Sequence, residues 1–224
     1  LEHTGHSGNL TPNMRNSLMK TLSEEEQKES KRLMEAGKVM LDQANARIAD
    51  RPLKEVALKQ RHGNFSDTLA DLGSEIRVLV MGIRGQDHED QEKTIGSHLE
   101  RSIRALHRPI FIIGNAFSEH KSMILAYNDT EGANKALEMV CKSPLYRDMH
   151  VHLVHVNSDE TKGKVIIAQA ESKLKTSGLA YQTALLDGDA QTQLLAYQDR
   201  QNLDMTVMGA FNHGKLHKLF FGSF

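Results

Sequence analysis

Tryptophan is absent from the 224-residue chain, and cysteine occurs once, at Cys141. A single thiol excludes an internal disulfide framework and suits a reducing compartment, so a cytoplasmic location is expected. Aromatic residues make up only 5% of the sequence, which leaves Leu, Ile, Val, Met and Ala to fill the core. Neither sign of charge dominates. With 28 basic against 29 acidic side chains and a net charge of -1, no nucleic-acid or membrane-surface partner is expected, since both need a basic excess on one face. Long apolar runs are also missing; Ile110 to Ile113 is typical, and far too short to cross a bilayer. Leu1 to Lys20 carries no apolar stretch of the secretory-leader kind. The remaining balance, 25% charged and 39% hydrophobic, is that of an ordinary globular protein.

What the chain does have is an internal repeat. The stretch Val39 to Ile48 lies over Val165 to Leu174 in its pattern of apolar, Gln and Ala positions. At nearly the same offset His62-Gly63-Asn64 falls on Asp187-Gly188-Asp189. Val78-Leu79-Val80-Met81-Gly82 then falls on Met205-Thr206-Val207-Met208-Gly209, and Gly96-Ser97 falls on Gly222-Ser223. Four matches in one order indicate a tandem duplication, with a first domain over 1–116, a polar linker and a second domain over 122–224.

Each copy alternates helix with strand. In the first, Ser23 with Glu26 three residues on forms a capping-box pattern that predicts a helix from Ser23 to Ala49. A short strand is expected over Glu55 to Gln60 and a helix over Phe65 to Leu72. Ile76 to Met81 reads as a strand buried on both faces, followed by a helix from Ser97 to His107 and a strand from Pro109 to Ile113. The second copy predicts strands at Met123–Tyr127, Val151–Val156, Ala180–Leu186 and Met205–Met208. Helices are expected between them at Gly132–Cys141, Thr161–Thr176 and Ala190–Gln201. Alternation of this kind means βαβ units with right-handed crossovers, hence an α/β class of two tandem open parallel sheets with flanking helices. The second copy opens with strand, helix and strand that the first lacks, and the first continues into a helix and strand that the second lacks. Both domains therefore read as incomplete, the chain as a piece of something longer.

The turn after the last matched strand carries the chemistry. The first copy has Gly82, Gly85, then Gly96-Ser97; the second has Gly209, Asn212, then Gly222-Ser223. Glycine at a strand's carboxyl end lets backbone approach a ligand closely. A Gly-Ser pair opening a helix offers free N–H groups, a hydroxyl and the positive end of the helix dipole, which suit a phosphate. Open parallel sheets bind ligands at this edge.

This glycine pattern after a Val-Met-Gly strand resembles the phosphate- and ribose-binding signature of the universal stress protein family. Ile124 to Leu137 is similar to that family's opening strand, turn and helix, and Leu153 to Val156 to its second strand. The resemblance covers nearly the whole chain in tandem and implies the adenine nucleotide alpha hydrolase-like fold. It also implies a pocket for ATP or AMP, with Mg as a cation that could accompany the phosphates. On that resemblance Val156 presents backbone groups to adenine, and Asn128 or Asp129 takes the acidic position near the ribose and phosphates. Gly209 and Asn212 border the ribose and phosphates, and Gly222 and Ser223 hold the phosphates. The second copy departs from the family by Asn128 where an acid is usual and by Asn212 where a glycine is usual. Lys215, His217 and Lys218 place positive charge nearby. The first copy keeps Gly82, Gly85, Gly96 and Ser97, yet its loop carries Asp87, Glu89, Asp90 and Glu92, which repel a triphosphate unless a divalent cation intervenes.

The plainer readings are a turn role for Gly82 and Gly209 and a helix-cap role for Ser97 and Ser223. His213 and His217 share a helical spacing but have no third ligand, so no metal site is expected. His150, His152 and His155 read as packing or surface groups, and Cys141 as an inert buried thiol. No nucleophile and base constellation is present, so turnover is expected to be absent or at most that of a slow ATPase. The leading expectation is a stress-response regulator that senses adenine nucleotide and changes assembly, the two copies packing as a pseudo-symmetric pair or a homodimer forming. Its rival is an interaction module of the same fold with degenerate pockets.

Overall fold

The computed structural model describes residues 12–61, 63–82, 97–106, 108–114 and 120–209. The chain falls into two compact units, Leu1–Asn64 and Phe65–Phe224.

The first unit is built on α1 (Pro12–Ile48), a helix of 37 residues. It starts well before Ser23, so the capping-box serine lies inside the helix. Proline costs nothing in a first turn, where its missing N–H would find no partner anyway, and no glycine or proline interrupts 13–22. The segment 55–60 forms no strand; a strand needs a neighbour for its ladder, and none of the described residues pairs with it. Two of its glycines are nonetheless placed like their counterparts in the aligned second stretch. A Cβ added at Gly37 would meet the Gln60 side chain, as one added at Gly163 would meet Leu185. Gly63 and Gly188 share a φ of 114°, a left-handed value that favours glycine.

The second unit opens with α2 (Phe65–Leu72), β1 (Leu79–Gly82), α3 (Ser97–Ala105) and β2 (Ile110–Ile113). β1 and β2 pair in parallel, Leu79 opposite Ile110 and Gly82 opposite Ile113. α2 and α3 pack on each other, with Leu69, Leu99 and Leu106 buried. The chain continues through β3 (Ser122–Ala126), α4 (Glu131–Lys142), a 3-10 turn (Pro144–Tyr146) and β4 (His150–Val156). It ends with α5 (Glu160–Ser177), β5 (Tyr181–Leu186), α6 (Ala190–Gln201) and β6 (Met205–Met208). These last four strands form one parallel sheet in the order β5-β4-β3-β6.

Strand alternation divides the core. Met123, Leu125, Val151 and Leu153 face α4 and α5, meeting Leu137, Val140, Ile167, Ala170 and Leu174. Ile124 and Val154 face the other way, toward Leu194 and Tyr197 of α6. Right-handed crossovers require this: β3 to β4 to β5 steps in one direction with helices on one face, and α6 leads back across the sheet on the other. Side-chain caps from Thr130, Asp159 and Asp189 fix the starts of α4, α5 and α6, each satisfying an amide that the helix leaves open. Gly178 and Asn202 end α5 and α6 in the left-handed conformation.

His152 is a buried packing group on the α6 face rather than a surface group, and it is hydrogen-bonded as well. Its Nδ1 lies 3.1 Å from the Tyr197 hydroxyl and 3.0 Å from Gln182 Nε2. An amide nitrogen only donates, so Nδ1 accepts and the neutral ring carries its proton on Nε2. Burial, and then neighbouring His150, hold its pKa below the ordinary 6.5. Between that lowered value and 6.5 the unfolded chain binds more protons than the native one. The contribution of His152 is therefore complete above about pH 6.5 and declines as the pH falls through that window. Urea unfolding midpoints should drop from pH 7 to pH 5, and the drop should be smaller in His152→Gln; an equal drop would show that other groups carry it.

Candidate functional site

Two crossovers part at the carboxyl ends of β3 and β6. From β3 the chain passes through α4 toward β4, and β6 arrives on the opposite side from α6. Open parallel sheets take their ligands at such a switch point. The edge is lined by the turn 127–130, the first turn of α4, the end of β4 and Gly209.

Gly209 directly follows β6 and lies against the first turn of α4. A Cβ placed on it would stand 2.5 Å from the amide nitrogen of Ala133 and from the carbonyl carbon of Gly132. Both are backbone atoms, which cannot rotate away, so no side chain fits. The glycine is thus required by packing, and the same packing brings β6 against the amino end of α4. There Thr130 accepts the Ala133 amide through Oγ1 at 3.3 Å.

The turn itself is closed by side chains. Asn128 Oδ1 accepts the Thr130 hydroxyl at 2.7 Å, with the Thr130 amide at 3.4 Å. Asp129 adopts a left-handed φ of 57°, which Asp tolerates better than most residues. Its Oδ1 accepts Asn134 Nδ2 at 3.1 Å and lies 3.0 Å from the Tyr127 hydroxyl. Those two bonds, Asn134 first, hold its carboxyl below the usual carboxylate range. Tyr127 is buried, and that burial, with the Asp129 carboxylate beside it, pushes its phenol up to about 12. Across the sheet, the buried His155 donates from Nδ1 to the Tyr127 carbonyl at 2.7 Å, and Asn157 Nδ2 stands 3.3 Å from its Nε2. Val154 accepts Tyr127 N–H on the β3 side and Leu186 accepts Asn157 N–H on the β5 side. By the alternation of a strand's polar groups, Val156 turns its backbone toward the β3 side.

Of the residues singled out in the sequence, Asn128, Asp129, Val156 and Gly209 meet at this edge. Asn212, Gly222 and Ser223 lie outside the described residues, as do Lys215, His217 and Lys218. In the first copy Gly82 is the last residue of β1 and Ser97 the first of α3, the strand end and helix start expected of them. Gly85 and Gly96 fall outside the described residues. Tyr127, Asn134 and His155 were missed as members of the edge. The available signal was a histidine within the otherwise apolar Leu153–Val156 run and a tyrosine closing the β3 run. Among the described residues no group of three or more His, Cys, Asp or Glu side chains is placed to hold a metal ion. No described helix is long and apolar enough to cross a membrane.

An open, doubly wound parallel α/β sheet with its edge at a switch point is the class that fold and geometry define. No family model matches the chain. It is 25% identical over 225 residues to the universal stress protein Slr1230 of Synechocystis, an alignment spanning all of this chain and 78% of that relative. The solved universal stress protein of Archaeoglobus fulgidus shares the fold with a TM-score of 0.68 at 20% identity, covering 80% of this chain and 68% of that one. A universal stress protein family protein of Arabidopsis thaliana, solved with AMP bound, aligns over 45% of this chain and 85% of its own. Its 14% identity and TM-score of 0.38 are too low to transfer a site. Over its whole length the chain is similar in sequence to a universal stress protein, and it shares the fold of a solved one.

Gly209→Ala should destabilise the protein by about 1–3 kcal/mol, because the α4 backbone must move to admit a methyl group. Gly37→Ala should be neutral or mildly stabilising, since it meets only the flexible end of Gln60 and alanine favours a helix by about 1 kcal/mol over glycine. Paired denaturation curves check the contrast; equal effects would contradict the packing role of Gly209.

Proposed function

We propose that the domain over 122–224 binds an adenine nucleotide, ATP or AMP, at the β3/β6 edge and that the protein acts as a stress-response regulator in the cytoplasm. One observation carries this reading: the Val156 backbone, the amino end of α4 and the close-packed Gly209 converge at a single switch point. The nucleotide's base sits by Val156, where backbone donors and acceptors read its edge, and its phosphates lie toward the α4 amino end. The helix dipole and the amides of the first turn favour negative charge there. Gly222 and Ser223 complete the phosphate contacts. Binding acts through assembly, either of the two repeats as a pseudo-symmetric pair or of a homodimer.

A second reading has specific support. Asn128 replaces the acid that the family resemblance leads one to expect, and its carbonyl oxygen is already engaged by Thr130. The packing on α4 also accounts for Gly209 without any ligand. An interaction module with an empty edge fits both facts.

Nucleotide released on denaturing the purified protein, together with calorimetry against AMP and ATP, separates the two. The nucleotide reading expects stoichiometric adenine nucleotide, or binding at concentrations below about a millimolar, worth about 4 kcal/mol or more. Protein that is empty and ignores millimolar AMP and ATP is the interaction module.

A further inference from the structure

The turn between β3 and α4 is fastened by one tyrosine gripped at both ends. The Tyr127 main-chain carbonyl accepts His155 Nδ1 at 2.7 Å from β4, and its amide donates to Val154 at 3.0 Å. Its hydroxyl, beyond the buried ring, stands 3.0 Å from Asp129 Oδ1 and 2.9 Å from Asn134 Oδ1. The hydroxyl has one proton, and the ionised carboxylate is the stronger acceptor. Asn134 returns its own N–H group to Asp129 Oδ1 and also to the Thr130 carbonyl at 3.2 Å. Lys173 of α5 reaches Asn134 Oδ1 at 3.4 Å. Strand β4, strand β3, the turn and helices α4 and α5 are therefore joined through Tyr127 and Asp129.

Asp129 is placed for this fastening. Its left-handed φ turns the chain sharply between Asn128 and Thr130, and Oδ1 serves two partners at once. Thr130 in turn caps α4, whose first turn lies against Gly209. Resting on the nucleotide reading above, we infer that Tyr127 and Asp129 are positioning residues of the edge. They set the turn 128–133 at the place where nucleotide binds, and Asp129 serves by holding Tyr127 and Asn134, without touching the ligand.

A thermodynamic cycle on the full chain tests this. AMP and ATP affinities are measured for the unsubstituted protein, Tyr127→Phe, Asp129→Asn and the double variant, with thermal unfolding alongside. Tyr127→Phe and Asp129→Asn should each weaken binding by about tenfold. The double variant should lose no more than either alone, because both changes open the same fastening. Asn134→Ala opens it from the helix side and should match them, which keeps the test usable if one of the others folds poorly. Absorbance titration of the phenols supplies a signature that simple destabilisation would not move. One tyrosine should ionise near 12 in the unsubstituted protein, disappear in Tyr127→Phe and shift downward in Asp129→Asn. Loss of binding in Asp129→Asn alone, with Tyr127→Phe and Asn134→Ala unaffected, would make Asp129 a ligand contact and overturn the inference. Equal binding by all variants would overturn it too. No binding by the unsubstituted protein would remove the nucleotide reading itself.

Discussion

The contact of Gly209 with the first turn of α4 is the constraint on which the carboxyl edge depends. It sets the separation of β6 from α4 by backbone alone, with no side chain between. From that separation follow the placing of the α4 amino end at the switch point and the need for a tight, self-closed turn after β3. Hydrogen bonds within that turn, from Thr130 to Asn128 and from Tyr127 and Asn134 to Asp129, hold it in a conformation that a non-glycine residue reaches only at some cost. The core beneath is ordinary. Alternating apolar residues on β3 and β4 bury against α4 and α5 on one side and α6 on the other.

The repeat persists where burial does not. Gly163, Ile167 and Leu174 of α5 are buried on the sheet, and the matching Gly37, Leu41 and Ile48 are the half-buried positions in an otherwise exposed stretch of α1 over 23–48. The same spacing is written into both helices, and in α5 it is covered by β4 and β5. Glycines of identical φ at 63 and 188, and glycines in close approach to a side chain at 37 and 163, are likenesses of backbone that side-chain burial would not reveal.

Most elements were legible because their signals were local. Phe65–Leu72, Ala190–Gln201 and Met205–Met208 were read to the residue, helped by the alternation of helix-type and strand-type runs between turn signals. Failures came where a distant neighbour decides the outcome. Glu55–Gln60 finds no strand to pair with among the described residues, and the capping box at Ser23 does not start a helix because α1 is already running there. Asn128, Asp129, Val156 and Gly209 were legible through family resemblance and strand-end position. Tyr127, Asn134 and His155 were not, because their roles depend on hydrogen bonds across β3, β4 and α4 that no spacing rule encodes. The packing need for Gly209 was also hidden, since a turn glycine and one pressed against a helix look alike in a sequence.

Amide chemical-shift mapping of the isotope-labelled chain during titration with AMP addresses the edge most directly. Saturable shifts concentrated at 128–133, Val156 and Gly209, with the β1–β2 region and α1 little changed, are what a nucleotide seated at the β3/β6 switch point requires. Shifts confined elsewhere, or none at millimolar nucleotide, would contradict it.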